Sequence, residues 1–325
     1  MPYKYLQEKG IKIKKQKYRL TNWSEYNASM KRRGDIEIWL SQEVIDSWHV
    51  CDRIYDGTGT PDLYSDEAIL MCHELRKVLK LPLRQTQGFI DSIFRIQELD
   101  IKCPDFGTLS RRLERLGLDT PRYKNHEKPE DDLAAIAIDS SGLKRFGRDE
   151  WHQEKHNVSA KRSWRKLHIA VNGNHYIVGN SLTDRFANDS QEIGGLLEQI
   201  NSPIDHFTAD GAYDENAVYE KVREYSPSVD VVIPPDRNAV YGDNNNEQRN
   251  RNILEIMLFG RMMWQRLRKY GKRNYSELAI QRYKRILGNT MQAREFIRQK
   301  QESIIGCGVL NKMTSLGMPK SYRVA

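Results

Sequence analysis

Three carboxylates in this chain have surroundings suited to chemistry. Asp139 closes the apolar run Leu133–Ile138 and is followed by Ser-Ser-Gly. Asp210 closes the run Ile204–Ala209 and is followed by Gly211. A short carboxylate at the exposed end of a buried strand can point into a cleft, and a small neighbour leaves room for a ligand to approach. The third, Glu277, is the only acid between Arg261 and Arg285, a segment rich in Lys and Arg. A lone acid among so many bases is poorly placed as a surface ion-pair partner. It is well placed if a metal ion and a phosphate backbone meet beside it. Three carboxylates converging in a basic cleft suit a pair of Mg²⁺ ions, hard cations that take oxygen ligands. Two such ions can stabilise both the attacking and the leaving oxygen of an in-line phosphodiester displacement. Spacing alone leaves competitors: Asp184, Asp189, Asp205 and Asp214 could take the same role.

The elements that must position these acids can be read from hydrophobic periodicity. Strands are predicted at Leu133–Ile138, at Lys166–Val171 and from His175 to Val178, the last two joined by the turn Asn172-Gly-Asn174. A helix over 190–200, a strand at Ile204–Ala209, a helix over 215–225 and a strand at Val229–Ile233 follow. Three strands in meander, then helix, strand, helix, strand, is the order of an RNase H-like domain, an α/β fold with a mixed sheet flanked by helices. A mostly helical tail over 247–303 contains Glu277. Counting about 100° per residue, Lys284 lies about 20° from Glu277, and Ala279, Tyr283, Ile286 and Leu287 centre about 120° away. Glu277 is thus predicted to lie off the apolar stripe, on the same face as Lys284.

The first 128 residues read differently. Residues 1–20 hold seven bases against the single acid Glu8 and read as a flexible basic arm. The alternation in Ile36–Leu40 suggests a short strand. Ser65 can cap a helix with Ala68, Ile69, Cys72, Leu75, Val78 and Leu79 as its apolar stripe. A second helix is predicted over 83–97 with Phe89, Ile90, Ile93, Phe94 and Ile96 inward, and a third over 108–116, stopped by Gly117. The short third helix carries Arg111, Arg112 and Arg115, as a helix-turn-helix DNA reader would. An ordinary helical hairpin with solvated arginines is the alternative. The proline-bearing polar stretch 121–132 reads as a boundary. It leaves a mostly helical DNA-binding region over 21–128 and a catalytic domain over 129–325.

The chain has 325 residues, enough for two domains with separate cores. Its formal net charge is +8, which favours a polyanionic partner, nucleic acid first. No apolar run approaches the roughly 18 residues of a membrane span, and the N-terminus has no secretory h-region. A cytoplasmic, bacterial protein, nucleoid-associated when bound to DNA, is the expectation. The four cysteines, Cys51, Cys72, Cys103 and Cys307, form no CxxC pair and read as reduced thiols. His152 and His156 have a spacing that can hold zinc, but no Cys or Glu stands at ligand spacing, so zinc is not expected. His168, within a strand, reads as a core histidine. Lys161, Arg162, Arg165 and Lys166 surround Trp164 and could contact phosphate, or simply edge a solvated hairpin. Trp264 could stack on an unpaired base, or be buried.

Beyond these local readings, the chain resembles the DDE transposases of bacterial insertion sequences, in the group with a Y-x2-R-x3-E-x6-K signature. Tyr270, Arg273, Glu277 and Lys284 meet every spacing of that signature. The resemblance extends through WSEYNASMKRRGDIEIWL (23–40), CPDFGTLSRR (103–112), IDSSGLK (138–144), TADGAYD (208–214) and VLNKMTSLGMP (309–319). It implies that Asp139, Asp210 and Glu277 ligate the metal ions, Mg²⁺ with Mn²⁺ able to substitute. It implies that Tyr270, Arg273 and Lys284 contact DNA near the cleaved phosphate. It also implies an N-terminal region that binds terminal inverted repeats, and a homo-oligomeric synaptic complex that cuts double-stranded DNA and joins it to a target. An RNase H-like endonuclease without strand transfer, and a domesticated DNA-binding protein, are the alternatives. The Asn-rich segment 243–250 matches the family least.

Overall fold

A mixed sheet of five strands is the frame on which the acids are mounted. A computed structural model describes residues 17–51, 62–122, 134–145, 164–236, 238–242 and 246–324. The strands are β2 (Ala135–Lys144), β3 (Trp164–Asn172), β4 (Ile177–Asp184), β5 (His206–Thr208) and β6 (Asp230–Val232). Their order is β4-β3-β2-β5-β6. The meander β2-β3-β4 is antiparallel, and β5 and β6 add in parallel beside β2. This is the RNase H-like order expected from the sequence. Strand β2 runs through Asp139 to Lys144 rather than ending at the acid, because β3 keeps pairing with it along its whole length. The parallel pairing with β5 stops earlier, at Ala137 opposite Thr208. Asp139 is therefore the second residue past the point where the pairing with β5 ends.

Helices cover the sheet. One face is closed by α7 (Ile193–Leu197) and α8 (Asn216–Tyr225), which bury Leu196, Val218, Tyr219 and Val222 against Ile136, Ile138 and Phe207. The other face is closed by α11 (Asn274–Arg282) and the long α12 (Phe296–Ser315). Between β6 and α11 lie α9 (Glu247–Phe259) and α10 (Arg261–Leu267). The described part of the Asn-rich segment has a structural use: Asn246 caps α9, its Oδ1 accepting from the Arg249 N–H at 3.1 Å.

The N-terminal part is helical, with α1 (Trp23–Arg32), α2 (Ile36–Trp39), α3 (Gln42–Asp46), α4 (Asp66–Leu79), α5 (Leu83–Ile96) and α6 (Phe106–Arg115). Ser65 caps α4 as expected, accepting from Ala68 N–H at 3.1 Å. The strand expected at Ile36–Leu40 is instead the one-turn helix α2. Leu40 N–H bonds to Ile36 C=O at 2.8 Å, and the Trp39 indole N–H reaches Arg33 C=O at 3.1 Å. Five alternating residues are too few for periodicity to separate the two forms. In α5 the buried positions are Thr86, Ile90 and Phe94, an i, i+4, i+8 stripe. Phe89 and Ile96, expected inward, are exposed at its flanks.

Two further expectations are corrected by packing. The helical part does not carry a core of its own: Ile69, Ile90, Phe94 and Leu109 belong to one apolar cluster with Leu167, Ile169, Tyr283 and Leu310. Helix α12 makes this joint, since it packs on α4, α6 and β4 alike. The buried pair Lys77–Glu302, at 2.7 Å, crosses the same joint. Residues 17–20 are not arm: they form β1 (Lys17–Leu20), antiparallel to the C-terminal β7 (Ser321–Val324). The rest of the predicted arm, 1–16, lies outside the described residues. Among the described residues no helix is long and apolar enough to cross a membrane.

Candidate active site

Each acid owes its place to a different element. Asp139 lies on the central strand β2, and the Ser140 N–H donates to its Oδ1 at 2.8 Å. Asp210 follows β5, the strand next to β2, and opens a single 3-10 turn, Gly211–Tyr213, whose Ala212 N–H donates to its Oδ1 at 2.9 Å. That turn needs a small residue at Gly211, since a Cβ there would meet Pro234 C=O at 3.3 Å. Glu277 stands in the first turn of α11, which packs against β2 and β3.

The short turn Tyr270–Arg273 precedes α11 and packs against β2 and β5, beneath the two aspartates. It delivers Arg273 into the site. The guanidinium is ion-paired to Glu277 and lies 3.7 Å from Asp139 Oδ2. One side chain thus reaches two acids that are far apart in sequence. The Tyr270 ring lies 5.9 Å from the same guanidinium and 5.3 Å from the Trp264 ring. Trp264 is fully buried, and its indole N–H donates to Asn252 Oδ1 at 3.2 Å, so it is a core residue and not a stacking platform.

The electrostatics follow from this crowding. Burial raises the Asp139 carboxyl to about 6, and the charges of Asp210 and Glu277 add to the shift; Ser140 N–H and Arg273 oppose it. Burial disfavours the charge on Arg273, but Tyr270, Glu277, Asp139 and Asp210 outweigh that and raise its pKa. The Tyr270 hydroxyl is pushed up to about 12, first by burial, and so stays protonated at neutral pH. Among the described residues no three His, Cys, Asp or Glu side chains close on one metal position. The donor set nonetheless fits a hard divalent cation. It consists of carboxylate oxygens, two of which share the nearest cation, Arg273.

Three of the four competing aspartates are committed elsewhere, and Asp205 is exposed. Asp214 is buried and held by Arg249 through two bonds of 3.0 and 2.9 Å. Asp184 accepts from Arg165 at 2.5 Å. Asp189 binds Lys166 Nζ and His168 Nδ1, each at 3.2 Å. Its carboxyl falls to about 2 because bonds from His168, Ser140 and Lys166 overcome the opposing effect of burial. This group sits under the site: Ser140 neighbours Asp139, and Tyr213 closes the turn begun by Asp210. Sequence reading missed Ser140, Asp189 and Tyr213 as a supporting set. Adjacency to Asp139 and Asp210 could have found Ser140 and Tyr213, but nothing in the sequence ties Asp189 to them.

Other expected contacts divide in the same way. Arg165 is buried, bonded to Asp184 and to Gln299 Oε1 at 2.9 Å, and stacked 4.2 Å from Phe296. Lys166 donates to Ala187 C=O at 3.0 Å besides Asp189. Both are held by partners within the fold. Arg112 is buried as well, bonded to Tyr64 C=O at 3.0 Å and to Asp66 at 2.6 Å. Arg111 and Arg115 remain exposed on α6. Lys284 lies in a single π-helical segment, Tyr283–Leu287, that continues α11. Among the described residues Lys284 makes no ion pair with the three acids. It lines a small cleft with Ser141, Ile280 and Tyr283. His168 is the buried core histidine expected, with Nε2 2.8 Å from Thr183 Oγ1. His152, His156, Lys161 and Arg162 lie outside the described residues. Cys72, Cys103 and Cys307 are buried thiols and Cys51 is exposed, none in a disulfide.

With this geometry in place, comparison with known families adds an independent finding. A family model described as "Transposase DDE domain" matches residues 131–312, more than half of the chain, and so spans all three acids. A second model of the same description matches residues 31–148, across the 121–132 stretch.

Proposed function

The chain belongs to the DDE transposases, and on that premise we propose that it binds the ends of an insertion sequence, cuts at the terminal phosphodiester and joins the freed 3′ end to target DNA. The observation that carries this reading is the single guanidinium of Arg273 held between Asp139 and Glu277. It supports the convergence of a strand acid and a helix acid on one cleft, with Asp210 on the neighbouring strand.

In this reading Asp139, Asp210 and Glu277 supply the oxygens that hold Mg²⁺, or Mn²⁺ in its place. When bound, the divalent ions supply a lowered pKa for the attacking hydroxyl and charge stabilisation for the departing oxygen. The chain's own residues do the rest. Ser140 N–H and Ala212 N–H fix the two aspartates so that their free oxygens face the cleft. Arg273 presents a planar fork of donors suited to a phosphate. Tyr270, protonated at neutral pH, adds a hydroxyl donor beside it. The exposed Arg111 and Arg115 of α6 are placed to meet DNA phosphates outside the cleft. Lys284 serves the flanking backbone. The complex works as a homo-oligomer that holds two ends together.

A strand-transfer assay with a precut end tests the reading. Joined product supports a transposase. Cleavage without joining would replace it with a nuclease of the same fold.

A further inference from the structure

The paired strands β1 and β7 form a two-stranded ribbon that neither apolar core includes. All four residues of β1 and Ser321–Arg323 of β7 are exposed. An isolated two-stranded ribbon is marginal in water, so a ribbon with both faces in solvent invites a partner. Its base is tied to the body of the fold. Thr21 N–H donates to Lys320 C=O at 2.9 Å, Lys320 N–H to Asn22 Oδ1 at 2.8 Å, and Asn22 Nδ2 to Met318 C=O at 3.0 Å.

The ribbon's charge is one-sided. Lys17, Arg19, Lys320 and Arg323 are basic, and neither 17–20 nor 316–324 contains an acid. The register distributes these groups over both faces. Arg19 stands opposite Tyr322 and Lys17 opposite Val324 on one face, with Tyr18 opposite Arg323 on the other. Each face therefore joins a guanidinium to an aromatic ring. A two-stranded ribbon is an element that the major groove of B-DNA admits, and basic side chains on both faces can meet the two phosphate walls. Covering these charges with an apolar partner would cost their hydration.

We infer that the β1–β7 ribbon is a DNA-binding element, a second contact with duplex DNA outside the catalytic cleft. This rests on the DNA-acting reading above and adds a further surface to it. It also gives the chain termini a shared job: joined as a ribbon, they can grip DNA only in the folded chain.

The test uses the full chain and a random-sequence duplex, with binding followed by fluorescence anisotropy as salt is varied. The variant Arg19→Glu/Arg323→Glu is compared with Lys221→Glu/Arg223→Glu, which changes net charge equally on α8, outside the segments read as DNA-binding. The ribbon variant is expected to bind on the order of tenfold more weakly, with a salt slope about two units shallower. The control should change far less. Should the glutamates open the ribbon, seen as a lower melting temperature, Arg19→Gln/Arg323→Gln keeps side-chain reach and should still lower the slope. Ribbon variants with the wild-type affinity and slope would overturn the inference and leave the transposase reading intact. A change in sedimentation mass with unchanged DNA binding would also overturn it, in favour of edge pairing between copies. Wild-type protein that binds no duplex would instead overturn the DNA-acting reading itself, and this inference with it.

Discussion

The Arg273 guanidinium lies 3.7 Å from the Asp139 carboxylate and is at the same time ion-paired to Glu277. A side chain so placed can serve the acids, the DNA or both. If it positions a phosphate beside the acids, its loss should fall on the chemical step. Arg273→Ala is expected to slow single-turnover strand cleavage by about 10²-fold, the scale for one preorganised donor, while end binding changes little. Arg273→Lys should recover only part, because an ammonium cannot present two parallel donors. Equal losses in binding and cleavage would assign Arg273 to DNA affinity alone.

The π-helical segment after α11 rests on a close approach. A Cβ at Gly306 of α12 would lie 2.7 Å from Tyr283 Oη and 2.8 Å from its Cε2, and Tyr283 is buried. Gly306→Ala should therefore destabilise the chain by about 1–3 kcal/mol, as overpacking does. The double variant Gly306→Ala/Tyr283→Leu should regain part of that loss. Thermal melting of both variants decides it, and an unchanged melting temperature in Gly306→Ala would refute the packing account.

Buried His73 on α4 predicts a pH dependence of stability. Burial, with Arg76 assisting, lowers its pKa from 6.5 to about 4 in the folded chain. Between those values the unfolded chain binds a proton that the folded chain does not. Its contribution is thus fully present above 6.5 and is lost as pH falls toward 4. The loss is on the order of 3 kcal/mol. Urea unfolding at several pH values should show a shallower fall for His73→Gln than for the wild type. Parallel curves would exclude His73 as the source.

Much of this was legible in the residues because the signals were local and long. The apolar runs beside Asp139 and Asp210 marked strands, and Ser65 marked a helix start, since caps and periodicity act within a few residues. The spacing of Tyr270, Arg273 and Glu277 marked one cluster. What stayed hidden was set by distant partners. Arg112 and Arg165 read as free bases because Asp66 and Gln299 lie far from them along the chain. The shared core was hidden in the same way: α12 joins the helices to the sheet only in three dimensions. The π segment that carries Lys284 was invisible to a count of 100° per residue.

The most direct test takes the three acids one at a time. Asp139→Asn, Asp210→Asn and Glu277→Gln remove a charge from the cleft while keeping side-chain size. Strand cleavage at the element's ends, assayed with Mg²⁺ and with Mn²⁺, is predicted to be abolished in each variant, with end binding close to the wild type. Wild-type-like cleavage by any of the three would contradict the account.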